Sequence, residues 1–341
     1  MTLRSVRRKS PALLAFAIVA AFAAMVTVQT ASAANTELRF AHVNSPGDPC
    51  HDGTQVFADL VKKLTDGRLT LKIFPKAQLG NQRELFAQLR SGAVDATCTN
   101  YPILSDVVPE FLTLNGGFFY DDWEQVRAVL DSPDLGQAWQ KQLVEKGGVR
   151  VLGSFYYGAR NVTLNKSANS RGDLVGLKLR AVPNPISLAI VRGLGPSPTP
   201  VAFPELFQAL RQGVVDGQEN PIPVIHAHKF YEVQKFLIRT RHQINAMPFV
   251  INEKAFQKVP AADRRILVKA AELAAEWATN HTIVRTESLV SDLESKGMTM
   301  IQPTAAALAE WKKAVRAEIA TNVDGKIWPK GMMQKIISLN E

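Results

Sequence analysis

Two arginines in apolar, glycine-bounded segments have the type and setting for binding chemistry. Arg160 follows the run Phe-Tyr-Tyr-Gly-Ala, and Arg180 ends the run Gly-Leu-Lys-Leu-Arg. A planar guanidinium group holds a carboxylate through two parallel hydrogen bonds and stays charged at any physiological pH. Two such residues near one pocket would select an organic acid, whereas each taken alone can also be a structural or surface ion-pair residue. The neighbouring aromatics Tyr156 and Tyr157 can line such a pocket or belong to the core.

A second group of polar side chains lies in the segment GVVDGQENP, residues 213–221. The glycine at its start ends a helix-like stretch, and the two valines predict a short buried strand over residues 214–218. Asp216, Glu219 and Asn220 would then lie where a strand meets a loop, which in an open α/β sheet is the edge that binds ligands. The alternative is that these side chains only cap and cross-link a turn.

Signatures of enzymes are largely missing from the sequence. It contains no glycine-rich phosphate loop, no nucleophile elbow and no helical pair of zinc-binding histidines. His226 and His228 are two residues apart, so a helix would point them to different faces, which favours a surface role over a metal site. Asp121, Asp122 and the carboxylates of segment 213–221 have no recognisable nucleophile or metal partner. The sequence therefore favours a binding protein that needs no cofactor, with an enzyme as the minor alternative.

The N-terminus has the features of an export signal. Four cations lie within the first nine residues, residues 11–28 are almost wholly apolar, and Ala-Ser-Ala at 31–33 is a small-residue cleavage site. This pattern predicts a secretory signal peptide over residues 1–33, with a retained membrane anchor as the alternative. Because no second long apolar segment follows, the mature protein is expected to be exported and not inserted in a membrane.

The charge and the length of the mature chain limit its partners and its organisation. Without the four cations of the signal, the net charge falls from +9 to +5, and the remaining Lys and Arg are scattered among acids, which gives nucleic-acid binding little support. About 308 residues remain, more than one core usually serves, so we expect two lobes. The only cysteines, Cys50 and Cys98, can form a disulfide in an oxidising compartment or remain two free thiols.

Predicted strands and helices alternate at short spacing, which is typical of an α/β protein with a mostly parallel sheet covered by helices. A helical stretch over residues 260–293 contains no internal Pro or Gly and is long enough to run across both lobes. The predicted strands cover residues 36–42, 69–74, 93–97, 149–157, 177–182 and 214–218, and the shorter helices 51–64, 81–89, 186–193 and 203–212.

Five segments together resemble the extracytoplasmic solute-binding proteins of TRAP (tripartite ATP-independent periplasmic) transporters, the DctP family. The resemblance extends over essentially the whole mature chain. The segments are LRFAHV near the mature N-terminus, FPKAQLGNQRELFAQLRSGAVDAT at 74–97, DLVGLKLRAVPN at 173–184, PSPTPVAFPELFQALRQGVVDGQENP at 196–221 and HKFYEVQKFL at 228–237.

This resemblance implies a two-lobe α/β periplasmic binding protein of type II-like fold, in which strands and one long helix span both lobes. Lobe I would comprise residues 34–157 and 246–285, and lobe II residues 158–245 and 286–341. Such a periplasmic protein closes on an organic acid and delivers it to the small and large membrane subunits of a permease driven by an ion gradient. A sensor kinase or an ATP-driven importer is the alternative partner, and a carboxylate-processing enzyme the less favoured alternative function.

The resemblance also assigns candidate ligand-binding residues. Arg180 lies in the family's carboxylate-clamping motif, and Arg160 matches a second family arginine. Asn220 and Phe203 match the family's asparagine and aromatic contacts, which leaves the carboxylates of segment 213–221 to fix the loop. Asn184, at the end of the 173–184 motif, is a further candidate.

Family members that bind sialic acid are similar through much of lobe II and share a histidine that matches His242. Where they hold the sugar with acidic residues of lobe I, this chain has Gln82 and Asn100. We therefore do not expect sialic acid to be the ligand. A smaller hydroxy acid, a keto acid, a uronate and a dicarboxylate all remain open.

Overall fold

The structure is a computed structural model that describes residues 36–340. The predicted signal peptide, residues 1–33, lies outside the described residues. Within residues 36–340 we find no helix that has both the length and the apolar character to cross a membrane.

The described residues contain one mixed sheet of nine strands, in the order β2-β1-β3-β8-β4-β7-β5-β6, with β9 paired to β8. The α/β class is thereby confirmed. The strands are β1 Thr36–Ala41, β2 Leu69–Phe74, β3 Ala96–Cys98, β4 Val149–Leu164, β5 Lys178–Ala181, β6 Ser197–Pro200, β7 Gly217–Pro221, β8 Phe236–Asn252 and β9 Thr299–Ile301.

The expectation of a mostly parallel sheet is wrong at the centre of the sheet. β1 pairs in parallel with β2 and β3, and β5 with β6 and β7. The long strands β4 and β8 instead run antiparallel to each other, and each also runs antiparallel to its other neighbour, β7 and β3 respectively. These two long strands join the two parallel halves of the sheet.

Both faces of the sheet are covered by hydrophobic cores. Along β8, Ile244 and Val250 pack into one core while Met247 and Phe249 pack into the other, as expected from the alternation of side chains along a strand. Because both faces are buried, β4 and β8 carry almost no exposed side chains.

Twelve α-helices cover the sheet in the described part of the chain. They are α1 Pro49–Leu64, α2 Gln82–Ser91, α3 Tyr101–Leu104, α4 Trp123–Asp131, α5 Ala138–Gly147, α6 Pro185–Leu194, α7 Leu206–Arg211, α8 Ile222–Ala227, α9 Glu253–Lys258, α10 Ala261–Ser295, α11 Ala305–Asn322 and α12 Met332–Ser338. Four 3₁₀ turns, Pro109–Asn115, Gly172–Leu174, Phe203–Glu205 and Phe230–Glu232, and one π turn, Pro133–Gln137, connect them.

Capping residues fix where two helices begin and thereby position residues of the site described below. The Asp48 side chain accepts a hydrogen bond from the Cys50 backbone N–H, and Pro49 is the first residue of α1. Asn81 and Glu84 form a capping box at the start of α2, which makes Gln82 the first helical residue.

The long helix predicted over residues 260–293 is present as α10, with 35 residues. It packs against α1 and across β4. Its buried side is formed largely of alanines, so its backbone lies close to the sheet: the Ala271 carbonyl would be 2.9 Å from a Cβ placed on Gly153 of β4.

Two predicted elements around segment 213–221 need correction. The predicted helix 203–212 is a 3₁₀ turn followed by the six-residue α7. The predicted strand 214–218 begins later, at Gly217, because Val214 is 49% exposed in the turn after α7. The polar residues Gln218, Glu219 and Asn220 thus lie within a fully buried strand and not beyond its end.

Candidate functional site

A small cavity lies where the ends of β1, β3 and β5 approach the middle of β4 and β8. Its volume is about 30 Å³, so a ligand of more than a few atoms requires the cavity to widen. The side chains around it are polar or aromatic apart from one valine and one methionine. They are Asn44, Gln82, Asn100, Tyr157, Arg160, Arg180, Val182, Phe203, Asn220, Asn245 and Met247.

Arg180 brings a charged group to this cavity whose two terminal nitrogens have no protein partner. Its Nε donates to the Val201 carbonyl at 2.9 Å, but Nη1 and Nη2 are buried without a hydrogen-bond acceptor. Burial lowers the pKa of Arg180 to about 10, helped by the charge of Arg160 and opposed by that of Glu219, so the guanidinium stays protonated at neutral pH. Two terminal nitrogens that have no protein acceptor, held in a fixed fork, match a carboxylate.

Arg160 also lines the cavity, but each of its three side-chain nitrogens donates to a protein acceptor. Nε and Nη2 donate to the Glu219 carboxylate, the Nη2 contact being 2.8 Å, and Nη1 donates to Asn245 Oδ1 at 2.7 Å. His242 Nε2 lies 3.2 Å from the same carboxylate. Burial disfavours ionised Glu219, but Arg160 and His242 outweigh it and lower its pKa to about 2. Arg160 and Glu219 therefore form a buried, neutralised ion pair.

Asn220 lies on β7, between the strands that carry the two arginines. Its Nδ2 donates to Gln218 Oε1, and Gln218 Nε2 donates in turn to Thr163 Oγ1 at 2.9 Å. Alternate residues of a strand share a face, so this chain of hydrogen bonds fixes the orientation of the Asn220 amide. Asp216 supports the start of the strand, since its Oδ2 accepts from the Lys178 backbone N–H at 2.7 Å.

Phe203 forms an aromatic wall of the cavity. The Arg180 guanidinium carbon lies 5.9 Å from the centre of its ring, within the range of a cation–π contact. The ring also meets His228 edge to face at 4.7 Å. Phe203 therefore packs against the Arg180 side chain and limits its movement.

A hydrogen-bonded group of four residues supports the part of the cavity lining that Asn44 and Tyr157 form. Asn44 Nδ2 donates to Asp48 Oδ2 and to the Tyr157 hydroxyl, both at 2.9 Å. Tyr157 donates to Asp48 Oδ2 at 2.7 Å, and His228 Nε2 lies 3.1 Å from the same oxygen. Burial disfavours the charged form of Asp48, but these partners outweigh it and lower the pKa of this carboxyl. Asn44 and Tyr157 face the cavity, and buried Asp48 holds them in place.

Gln82 and Asn100, which the resemblance named as candidates, both line the cavity with neutral amides. Asn100 precedes α3 but makes no capping hydrogen bond with its side chain, and its Oδ1 is buried without a partner. Its amide is therefore free for another contact.

Two candidate residues do not line the cavity. Asn184 is buried but its Oδ1 accepts from the Ser187 backbone N–H at 2.9 Å, which caps α6. His242 is fully buried behind Glu219 and its Nδ1 lies 2.8 Å from the Thr240 hydroxyl oxygen. Neither residue lines the cavity, although Asn184 Nδ2 is also buried without a hydrogen-bond partner.

Four cavity residues were not found from the sequence. They are Asn44, Val182, Asn245 and Met247. Asn44 follows the first strand, a position from which the rule for ligand sites at strand ends could have selected it. Asn245 and Met247 lie on β8, which the sequence pattern did not predict.

Cys50 and Cys98 are joined in a disulfide, with their Cα atoms 6.2 Å apart. Cys50 is two residues after Asp48, and Cys98 two residues before Asn100. The bridge thus connects the segment of Asp48, which supports the cavity lining, to the segment of Asn100, which belongs to that lining.

His226 and His228 each have a carboxylate partner, Asp292 and Asp48 respectively. Among the described residues no group of three or more His, Cys, Asp or Glu side chains is arranged to hold a metal ion.

The fold places the chain among the two-domain periplasmic binding proteins. A structure from Roseobacter denitrificans with bound L-galactonate superposes with a TM-score of 0.82 at 30% identity, covering 89% of this chain and 98% of that one. A structure from a Polaromonas species bound to D-erythronate gives 0.80 at 30% identity, with the same two coverages of 89% and 98%.

The chain belongs to the DctP family, the bacterial extracellular solute-binding proteins of family 7, whose model matches residues 40–324. The sialic acid-binding periplasmic protein SiaP of Vibrio cholerae is 31% identical over 309 residues, which cover 90% of this chain and 96% of SiaP. Family members are the solute-binding proteins of TRAP transporters; they bind organic acids, work with membrane permeases and are not enzymes.

Proposed function

We propose that this protein, after export to the periplasm, captures an organic acid in the cavity through Arg180 and delivers it to a TRAP permease of a small and a large membrane subunit. The proposal rests on the Arg180 guanidinium group, whose Nη1 and Nη2 are buried and have no hydrogen-bond partner. An unpaired buried charge is costly, and a ligand carboxylate would compensate it. Family membership and the predicted signal peptide support the delivery step and the compartment.

The energetics fit a small ligand. Micromolar affinity corresponds to about 8 kcal/mol, which for about ten heavy atoms is about 0.8 kcal/mol per atom, below the ceiling for small ligands. A carboxylate loses its hydration when it is buried. The site can therefore reach micromolar affinity only if it excludes water and supplies hydrogen-bond donors in its place.

We further propose that the two lobes close over the ligand, with lobe I formed by residues 34–157 and 246–285 and lobe II by the remaining mature chain. Among the contacts that would bridge these lobes, two involve segments beside the cavity. The Asp48 carboxylate meets His228, and Arg83 Nη2 donates to the Pro183 carbonyl at 3.2 Å. A ligand shifts the protein toward the closed form only by its greater affinity for that form.

Substitution of Arg180 tests this function. Arg180→Ala should lower the affinity for the bound acid roughly 100-fold or more, and Arg180→Lys should recover little of it because the fork is lost. Isothermal titration with an organic acid that binds the unaltered protein measures the change. Arg192→Lys, on an exposed ion pair with Glu318, is the matched control and should bind normally.

Near-normal affinity for the acid in both Arg180 variants would show that Arg180 does not bind the ligand carboxylate. Equal binding of the acid and its uncharged amide to the unaltered protein would contradict a carboxylate site altogether.

A further inference from the structure

We infer that this protein associates with a second copy of itself through the exposed face of α10, with the two α10 helices packed antiparallel. The centre of the contact lies midway between Leu273 and Val284, so each of these residues meets the other one in the second copy. The surface is separate from the ligand cavity, because none of the described residues that line the cavity belongs to α10. The inference therefore goes beyond the proposed function and does not depend on it.

The first support is an apolar stripe on the exposed face of α10. Eight large hydrophobic side chains are exposed in the described part of the chain, and four of them lie on about three turns of this helix: Leu273, Trp277, Ile283 and Val284. At about 100° per residue, Leu273, Trp277 and Val284 lie within about 40° of one another around the helix axis. Val284 is the most exposed of the eight, at 79%. Apolar side chains clustered at a surface in this way mark an interaction site.

Trp277 is held in place before any partner binds. Its ring stacks on the His281 imidazole, with the ring centres 4.4 Å apart and the planes 16° from parallel. Arg285 Nη1 in turn lies 2.9 Å from His281 Nε2. Trp277 is nevertheless 37% exposed. A tryptophan that is already fixed loses little conformational entropy on binding, and Trp is among the residues that contribute most to protein interfaces.

The charges on one flank of the stripe favour a second copy as the partner. Arg265 and Lys269 lie toward the N-terminal end of α10, Glu287 and Glu294 toward its C-terminal end, and all four are exposed. Their helical positions fall within about 40° of one another, on the side of the stripe where Ile283 also lies. In an antiparallel pair related by a two-fold axis, the same flanks of the two helices adjoin. Lys269 therefore lies near Glu287, and Arg265 near Glu294, of the second copy.

The same charges disfavour the other arrangements of this face. A parallel pair would place Lys269 beside Lys269 and Glu287 beside Glu287, and like charges repel. An anionic membrane surface would be repelled by Glu272, Glu276 and Glu287, which are all exposed. In the antiparallel pair Glu276 instead lies near Asn280 of the second copy, whose amide can donate a hydrogen bond to the carboxylate.

The second support is a groove of about 500 Å³ where α9 meets the N-terminal part of α10. Its lining includes the apolar Phe256, and its charged lining residues are Arg264, Arg265, Lys269 and Glu272. The groove thus carries a net positive charge on the flank that adjoins the second copy. The antiparallel arrangement places the acidic C-terminal half of the second α10 over this groove, so shape and charge agree on the same partner.

Sedimentation velocity of the purified exported protein over a roughly 100-fold range of concentration tests this inference. We expect a reversible change from one copy to two as the concentration rises. Val284→Asp should weaken the association roughly 10-fold or more, because the new carboxylate would be buried in an apolar contact. Val175→Asp is the matched control and should associate normally, since Val175 is also exposed, at 59%, but lies outside α10.

Charge reversal tests the antiparallel arrangement. Lys269→Glu and Glu287→Lys each place like charges together across the contact and should weaken the association. The variant with both changes restores opposite charges and should recover the dimer. Within one copy these residues pair with Glu272 and Arg239 respectively, and because both pairs are largely exposed their loss should change stability little.

The outcomes decide the inference. A single copy at every concentration overturns it, and so does a dimer that Val284→Asp leaves unchanged, because the contact then lies elsewhere. A double charge variant that associates no better than the two single variants overturns the antiparallel arrangement. If circular dichroism shows that Val284→Asp does not fold, the charge variants decide. Binding of an organic acid should be the same in all of these variants, so failure of the proposed function would be seen separately in the unaltered protein.

Discussion

Arg160 and Arg180 are buried arginines with different electrostatic roles. Every side-chain nitrogen of Arg160 on β4 donates to Glu219 or Asn245, whereas both terminal nitrogens of Arg180 on β5 have no protein acceptor. β7 lies between these strands and carries both Glu219 and Asn220. The Arg160 pair thus fixes the strand that presents Asn220, and Arg180 remains available to a ligand.

Glu219 should make stability depend on acid pH. Its pKa in the folded protein is about 2, below the ordinary 4.5, so its stabilising effect is full above about pH 4.5 and is lost as the pH falls toward about 2. Glu219→Gln should destabilise the protein by about 3 kcal/mol at pH 7, because Arg160 loses its buried partner charge. Urea unfolding at pH 7, 4 and 3 should show the difference from the unaltered protein shrinking with acid.

The exposed Glu145→Gln variant serves as the control and should follow the unaltered protein at each pH. A stability difference for Glu219→Gln that is the same at all three pH values would mean that ionisation of Glu219 does not stabilise the fold.

Irregularities in β4 direct its side chains into the cavity. The register against β8 shifts between Tyr156 and Gly158 and again between Arg160 and Val162. Such bulges re-aim neighbouring side chains. Tyr157 and Arg160, which both line the cavity, lie at these two shifts.

Gly158 is required at the first of these bulges. Its φ is +123°, and an added Cβ would lie 2.6 Å from the Pro221 Cβ of β7. Gly158→Ala should cost roughly 1–3 kcal/mol and also weaken ligand binding, because β4 must move relative to β7. Thermal unfolding and titration measure the two effects.

Gly172→Ala provides the comparison, since its nearest atom would be the Ser170 hydroxyl oxygen at 3.7 Å. Similar stability and affinity in the two alanine variants would show that β4 accommodates the extra methyl group without displacement.

The disulfide between Cys50 and Cys98 links a helix to a strand. It joins α1 to β3 across a sequence separation of 48 residues. Closing such a loop restricts the unfolded chain by about 4 kcal/mol in the entropy model. The bridge therefore stabilises the fold and holds the loop containing Asn44 and Asp48 near Asn100.

At the scale of the whole molecule, one sheet continues through both halves of the protein. β4 and β8 have 16 and 17 residues and pass through the middle of the sheet, while α10 crosses β4. Because β4, β8 and α10 all continue through the middle of the molecule, the two lobes can bend relative to each other at these elements but cannot tumble independently. Because the cavity is only about 30 Å³, the proposed binding of an organic acid at Arg180 requires such an opening.

Ligand binding should therefore compact the protein. We expect the radius of gyration from small-angle X-ray scattering to be larger without ligand than with a saturating organic acid, because the ligand favours the closed form. The uncharged amide of the same acid should produce no change. A radius of gyration that is identical with and without a bound acid would contradict lobe closure.

Much of the fold could be predicted because it depends on contiguous residues. The strand Leu69–Phe74 agrees with its predicted bounds, and α10 differs from the prediction by one residue at the start and two at the end. β8 was missed because polar residues such as His242 and Asn245 interrupt its apolar pattern, and these are buried only because they meet partners from other strands.

The sequence by itself determined the α/β class, the DctP family and the motifs that contain Arg180, Phe203 and Asn220, since these are properties of short segments and their order. Only the tertiary structure decided which arginine keeps its terminal nitrogens unpaired and that Asn44 and Tyr157 line the same cavity. Arg160 and Glu219 are 59 residues apart, and Asn44 and Tyr157 are 113 apart. Strand register and burial bring such residues together, and neither is encoded in local spacing.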